Sequence, residues 1–202
     1  MKVVVLGATG DTGMRVVQQA LDAGHEVVAY VRRPDALLPL AGMTIIKGRL
    51  DDVQAMTKAF AGADAVICCI GIKLSLTSIR QATLMQQVLP FVTTATRMSG
   101  VSRFVLMSAF GVGDTAAKAS SLARFIYGAV ASAIYLDKEL AETILPNSGL
   151  NWTTVYPVIL HEAPRRDAVM RISAIVDACF RLIVDGGTAP SVTRWGSAQV
   201  LV

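Results

Sequence analysis

The chain has 202 residues, 53% of them hydrophobic and 17% charged, with a net charge of +4. That is long enough for one α/β domain with a sizeable core, and too apolar for a disordered chain. Its positive charges are scattered, with only Arg32-Arg33 and Arg165-Arg166 adjacent and no basic run interleaved with aromatics, so no nucleic-acid partner is expected.

Glycine, charge or proline interrupts every apolar run before it reaches the length of a membrane span. Met1-Lys2 leads into the first motif with no cleavage site behind a longer apolar region, so no signal peptide is expected. Cys68 and Cys69 are adjacent in an apolar stretch and Cys179 stands apart, which argues against a disulfide framework and for a reducing, cytoplasmic setting. The histidines are His25 and His161 alone, with no Cys-x-x-Cys or His-x-x-x-His, so no metal site is expected.

The chain begins with an apolar run, residues 2–6, that ends in Gly7-Ala8-Thr9-Gly10-Asp11-Thr12-Gly13, and a helical pattern follows over about 13–23, closed by Gly24. Glycines spaced three apart between a strand and a helix suit a dinucleotide site. One makes the tight turn, one lets backbone approach a pyrophosphate, and one lets the helix pack on the strand. The N–H groups and positive dipole end of that helix would hold the phosphates. The second strand, Glu26–Val31, ends at Arg32-Arg33-Pro34. An acid that would hold ribose hydroxyls belongs near here, and two arginines stand there instead. They suit a 2′-phosphate; the alternative is a pair of solvated charges at a strand end.

Met43–Gly48 reads as a third strand, followed by a helix to about Phe60 with Asp51 rather than Asp52 as its N-cap. Asp64–Cys69 is a fourth strand, leading to Ile70-Gly71-Ile72-Lys73. A helix over about 78–98 contains Pro90, which should kink it, and Gly100 closes it. Arg103–Met107 is a fifth strand, with Ser108 to Gly113 leaving its end. Residues 114–133 are apolar with little periodicity; core, oligomer contact and pocket wall all fit. A helix from Ala133 to about Leu145, a sixth strand Trp152–Tyr156, a last helix over about 170–184 and a short strand near 191–195 complete the chain.

This alternation predicts an α/β, Rossmann-like doubly wound parallel sheet with helices on both faces. The expected organisation is a single domain over 1–202, with a small substrate-side portion from about 110–133 and 157–202. Ligands in such sheets bind beyond the carboxyl ends of the strands. That rule gathers Gly7–Gly13, Arg32–Arg33, Leu50–Asp51, Cys69–Lys73 and Ser108–Phe110 on one rim.

Taken together, the glycine turn, Val31–Pro34, Gly48–Asp52, Ala65–Gly71, Phe104–Asp114, Asp137–Glu142 and Ser148–Pro157 resemble the atypical short-chain dehydrogenase/reductases. The similarity is to the NAD(P)H-binding group that includes NmrA-like proteins and the flavin reductase/biliverdin-IXβ reductase, over about residues 1–161. The resemblance implies NADP(H) as cofactor. Gly7, Thr9, Gly10, Asp11, Thr12 and Gly13 would wrap the pyrophosphate, and Arg32 and Arg33 would take the 2′-phosphate. Leu50 and Asp51 would flank the adenine. Cys69, Ile70 and Gly71 would line the nicotinamide-side ribose, with Lys73 beside the cofactor. Tyr156, Pro157, Val158 and Ile159 would pass next to the nicotinamide.

The larger family's Tyr-x-x-x-Lys is incomplete. Lys138 fits, but Ile134 stands four residues before it, and Tyr135 is one step, about 100°, around the helix. Lys138 is then either a ribose ligand or a solvated helix residue. Ser108, at the family's strand-five serine, can bond a carboxamide or a substrate oxygen, or be a strand-end turn residue. His161 is either a proton relay or a loop histidine. The expected activity is hydride transfer from NADPH to a flavin, quinone or similar apolar, aromatic acceptor, which needs little acid catalysis. The rival is a non-catalytic, NmrA-like NADP(H)-sensing regulator. An oligomer is compatible with either.

Overall fold

The computed structural model describes residues 1–72, 82–112 and 132–157. The expected Lys73, Val158, Ile159 and His161 contacts, the stretch 114–131, the last helix and the short final strand lie outside these residues, as does most of the expected substrate-side portion.

The described elements, in chain order, are β1 (Lys2–Leu6), α1 (Asp11–Asp22), β2 (Glu26–Val31), β3 (Met43–Lys47), α2 (Val53–Phe60), β4 (Ala65–Cys68), α3 (Leu84–Met98), β5 (Arg103–Met107), α4 (Ser132–Glu142) and β6 (Asn151–Val155). Short 3-10 turns at Pro34–Ala36 and Leu145–Asn147 join them. All six strands pair in parallel, in the order β3-β2-β1-β4-β5-β6. This is the doubly wound sheet that the alternation of elements predicts.

Strands buried on both faces must be apolar throughout rather than alternating. Val3, Val4, Val5 and Leu6 of β1 are fully buried, and so are Ala65 to Cys68 of β4. On one face Val4, Leu6, Val66 and Phe104 pack with Met56 and Phe60 of α2 and Leu89 and Val92 of α3. On the other, Val3, Val5, Ala29 and Ile67 meet Val16, Val17 and Ala20 of α1. Helices therefore cover both faces of the sheet.

The starts of α1, α2 and α3 differ. α1 follows Gly10, which offers no capping side chain. α2 is capped by Asp52, whose carboxylate accepts from the Ala55 N–H at 2.9 Å. The expected cap, Asp51, is instead bridged by Arg49 at 2.6 Å. Asp52 wins because a capping oxygen must reach the amide two or three residues on, and the helix begins at Val53. The start of α3 is held from outside: the buried Asp137 of α4 accepts from the amides of Met85 (2.9 Å) and Gln86 (3.0 Å). α3 runs from Leu84 through Pro90 to Met98 as one helix, and the expected helical stretch 78–81 lies outside the described residues.

Candidate functional site

Parallel strands bring all their carboxyl ends to one rim. The order reverses between β1 and β4, so a crevice opens there. The glycine turn sits at that crevice. Gly7 has φ +77°, a left-handed conformation that side chains rarely adopt, and a Cβ on it would lie 2.6 Å from the carbonyl oxygen of Cys69. The Cys69 amide in turn donates to Leu6 at 2.9 Å, locking the end of β4 to the end of β1. A Cβ on Gly13 would lie 2.1 Å from the Gly7 carbonyl oxygen, so glycine there lets α1 sit down on the turn.

Gly10 is different. Its φ of −89° and ψ of 161° suit any residue, and a Cβ there would meet only Gly7 O at 3.4 Å. Nothing among the described residues demands glycine at this position. The room it leaves lies at an uncapped helix N-terminus, where first-turn amides project beyond the helix. Space, donors and dipole fit a pyrophosphate, and Thr9, Asp11 and Thr12 border the same turn. Ile70 is buried, and Gly71 is exposed with open space where a side chain would go.

The β2–β3 end forms the next part of the rim. Arg32 and Arg33 are exposed and make no ion pair with the described residues. Next to them, the Gly48 amide donates to Val31 at 2.9 Å, continuing the strand pairing. The buried Tyr30 ring packs edge-on to Phe60 and occupies the space beside Gly48. Its hydroxyl donates to the Arg49 carbonyl at 3.0 Å, fixing the loop that carries the half-buried Leu50 and the exposed Asp51. The Arg49 guanidinium donates to both Asp51 oxygens and holds that carboxyl below its usual range.

At the β5–β6 end the ladder continues past both strands: Ser108 N–H donates to Val155 (2.8 Å) and Phe110 N–H to Pro157 (2.9 Å). Ser108 is buried, and its hydroxyl donates to Oε1 of Glu142, at the end of α4. Oε2 of the same carboxylate accepts from the Tyr156 hydroxyl at 2.7 Å. Burial raises the Glu142 pKa above the usual carboxylate value, against the pull of the two hydroxyls and Lys138. Lys138 stands one helical turn before Glu142. Burial lowers its pKa, while the Glu142 charge acts in the opposite direction. It makes no hydrogen bond or ion pair with the described residues, and its desolvation sets it apart from a freely solvated helix lysine. Ile134 is buried, and Tyr135 is half-buried beside it.

Sequence reasoning brought the glycine turn, the arginines and Ser108 to one rim but gave Glu142 no role. A signal was present: Glu142 follows Lys138 by four residues, the spacing that puts both on one helix face. Its partners, Ser108 and Tyr156, come from two strands that become neighbours only in the fold.

A family model described as NAD(P)H-binding matches residues 7–176. The chain belongs to the NAD(P)H-binding family. NAD(P)(H) is thus its cofactor class, and the resemblance to the atypical short-chain dehydrogenase/reductases holds at that level. The chain is 42% identical over 69 residues to the photosystem II assembly factor Ycf39 of Synechocystis, a match that spans 33% of this chain and 21% of that protein. Two solved structures share the fold along nearly the whole chain. A short-chain dehydrogenase/reductase of Veillonella parvula, in complex with NADP, has a TM-score of 0.73 and 17% identity, covering 95% of this chain and 88% of that one. ChuY of Escherichia coli O157:H7, described as an anaerobilin reductase, has a TM-score of 0.70 and 22% identity, covering 96% and 93%. Among the described residues no helix is long and apolar enough to cross a membrane, and no cluster of His, Cys, Asp or Glu could hold a metal ion.

Proposed function

We propose that this member of the NAD(P)H-binding family is a cytoplasmic, NADPH-dependent reductase acting on a flavin, quinone or similar conjugated acceptor. The observation that carries the reading is the group Ser108, Glu142, Tyr156 and Lys138 at the ligand end of β5 and β6. Desolvating a carboxylate and an ammonium costs free energy, and perturbed ionisable groups on a ligand rim are a mark of chemical sites. The reductase reading also agrees with the description of ChuY.

Bound NADPH supplies the hydride, and the overall change consumes one proton from water as NADPH and oxidised acceptor become NADP⁺ and reduced acceptor. The protein's own residues bind and orient. The glycine turn and α1 would hold the pyrophosphate, Arg32 and Arg33 the 2′-phosphate, and Leu50 and Asp51 the adenine. Cys69, Ile70 and Gly71 border the crevice toward the reacting end. Lys138 would donate to a ribose hydroxyl, while Ser108, Tyr156 and Pro157 face the far side of the rim. Lys73, Val158, Ile159 and His161 extend this proposal along the chain. Such positioning accounts for much of a rate without a protein acid.

The test is steady-state turnover with NADPH or NADH and one flavin and one quinone. Ser108→Ala should lower turnover, and Tyr135→Phe should leave it nearly unchanged. Tight NADPH binding with no turnover of any acceptor would favour the regulator instead.

A further inference from the structure

An ionised carboxylate accepts hydrogen bonds and donates none. Both oxygens of Glu142 are met by hydroxyls, Ser108 on Oε1 and Tyr156 on Oε2. The protons of both bonds must therefore come from the serine and the tyrosine. A serine hydroxyl has one proton, so while Glu142 is charged Ser108 has none left to offer a ligand. Only its lone pairs remain. Tyr156 keeps Glu142 in place from the neighbouring strand end, so the commitment is built into the fold rather than left to a mobile side chain. The full-time donor in this group is Lys138, one turn away and without a hydrogen-bond partner among the described residues.

We propose that Ser108, with its proton committed to Glu142, is an acceptor that selects a ligand edge bearing an N–H donor. The inference rests on the reductase reading and deepens it. Ser108 does not polarise a substrate oxygen; it receives an N–H. Two sources carry that chemistry, the carboxamide of the cofactor and a ring N–H of the acceptor, such as the imide of a flavin. Glu142 is the positioning residue, acting through Ser108. When Glu142 takes up a proton on Oε1, the oxygen that Ser108 meets, the serine hydroxyl is released to donate and the selection weakens. The ionisable groups acting on this carboxylate are Lys138 and Glu139 on α4 and Tyr156 at the end of β6; Lys138 is in turn next to Asp137 and to Cys68 and Cys69 at the end of β4. Burial pushes the Cys68 thiol up to about 11, so it keeps its proton as pH falls from neutral.

The experiment has two arms on the full chain. In the first, NADP⁺ and its 3-acetylpyridine analogue are titrated by calorimetry; the analogue keeps the carbonyl and loses the amide N–H. In the second, riboflavin and N3-methylriboflavin are compared as acceptors by kcat/KM. A preference of about tenfold for the N–H-bearing partner, the worth of one hydrogen bond, is expected in one arm. In that arm the preference should collapse in Ser108→Ala.

In the unmutated protein the preference should fall as pH drops through the Glu142 titration, and that slope should vanish in Glu142→Gln. The pH series needs no folded variant, and the 2′-phosphate titration cancels because both first-arm ligands carry it. An effect in the first arm assigns the donor to the cofactor, and one in the second assigns it to the acceptor. NADP⁺ binding and riboflavin turnover with no N–H preference in either arm overturn the inference and leave the reductase standing. Absence of binding and turnover overturns both.

Discussion

A methyl group added at Gly13 would reach within 2.1 Å of the carbonyl oxygen of Gly7, whereas one added at Gly10 would reach the same oxygen only at 3.4 Å. The two glycines therefore do separable work. Gly13 is required by the protein's own packing, whereas no contact among the described residues requires glycine at position 10.

Substitution should expose that division. Gly13→Ala forces backbone apart beneath α1 and should destabilise the fold by about 3 kcal/mol or more, the upper range for overpacked sites. Gly10→Val has ordinary φ and ψ available and should remain folded, while its branched side chain blocks the phosphate approach. Urea melts with NADPH titrations measure both. A Gly10→Val protein that binds NADPH as tightly as the unmutated one would remove the glycine turn from the site.

Arg32 and Arg33 reach beyond β2 with no ion pair among the described residues, and charge-assisted bonds to a phosphate contribute about 1.5–3 kcal/mol each. The double alanine variant should lose NADPH affinity far more than NADH affinity. In the unmutated protein the preference for NADPH should diminish with added salt, since both arginines are exposed. Equal affinities for the two cofactors before mutation would contradict the assignment.

The capping carboxylates should also separate by role. Asp52→Ala removes the α2 cap and should cost about 1 kcal/mol. Asp137→Ala strips two amides of a charged acceptor at the buried start of α3, and each such bond is worth about 1.5–3 kcal/mol. Asp51→Ala should leave thermal stability unchanged, because its partner Arg49 is an exposed surface cation. A melting temperature lowered as far by Asp51→Ala as by Asp52→Ala would reverse the assignment of the cap.

Much of this was legible in the sequence because it is local or periodic. Apolar runs marked the buried strands, glycine spacing marked the turn, and the rule for parallel sheets placed Arg32, Cys69 and Ser108 on one edge without any knowledge of contacts. What escaped was non-local or fine-grained. Asp51 and Asp52 are equally good caps by residue type, and only the onset of α2 at Val53 chooses between them. Asp137 caps a helix some fifty residues earlier in the chain. Glu142 reads as one more acid on a helix until β5 and β6 place Ser108 and Tyr156 against it.

The same burial makes Glu142 a determinant of stability against pH. Burial, the dominant influence, raises its folded pKa above the ordinary 4.5, so between 4.5 and the folded value the native protein holds more protons than the unfolded chain. Stability linked to this group is fully present below 4.5 and is lost as pH rises through the folded value. Lys138 acts at the other end. Its folded pKa lies below the ordinary 10.5, so in the window just beneath 10.5 the unfolded chain holds the extra proton and stability rises with pH. Glu142→Gln removes the first slope, and its stability relative to the unmutated protein should therefore grow as pH climbs from 4.5 through the folded value. Lys138→Met should remove the second. Urea midpoints from pH 4 to pH 10 measure both, and two curves differing by a constant offset would show that the Glu142 carboxylate titrates in the native protein as it does in the unfolded chain.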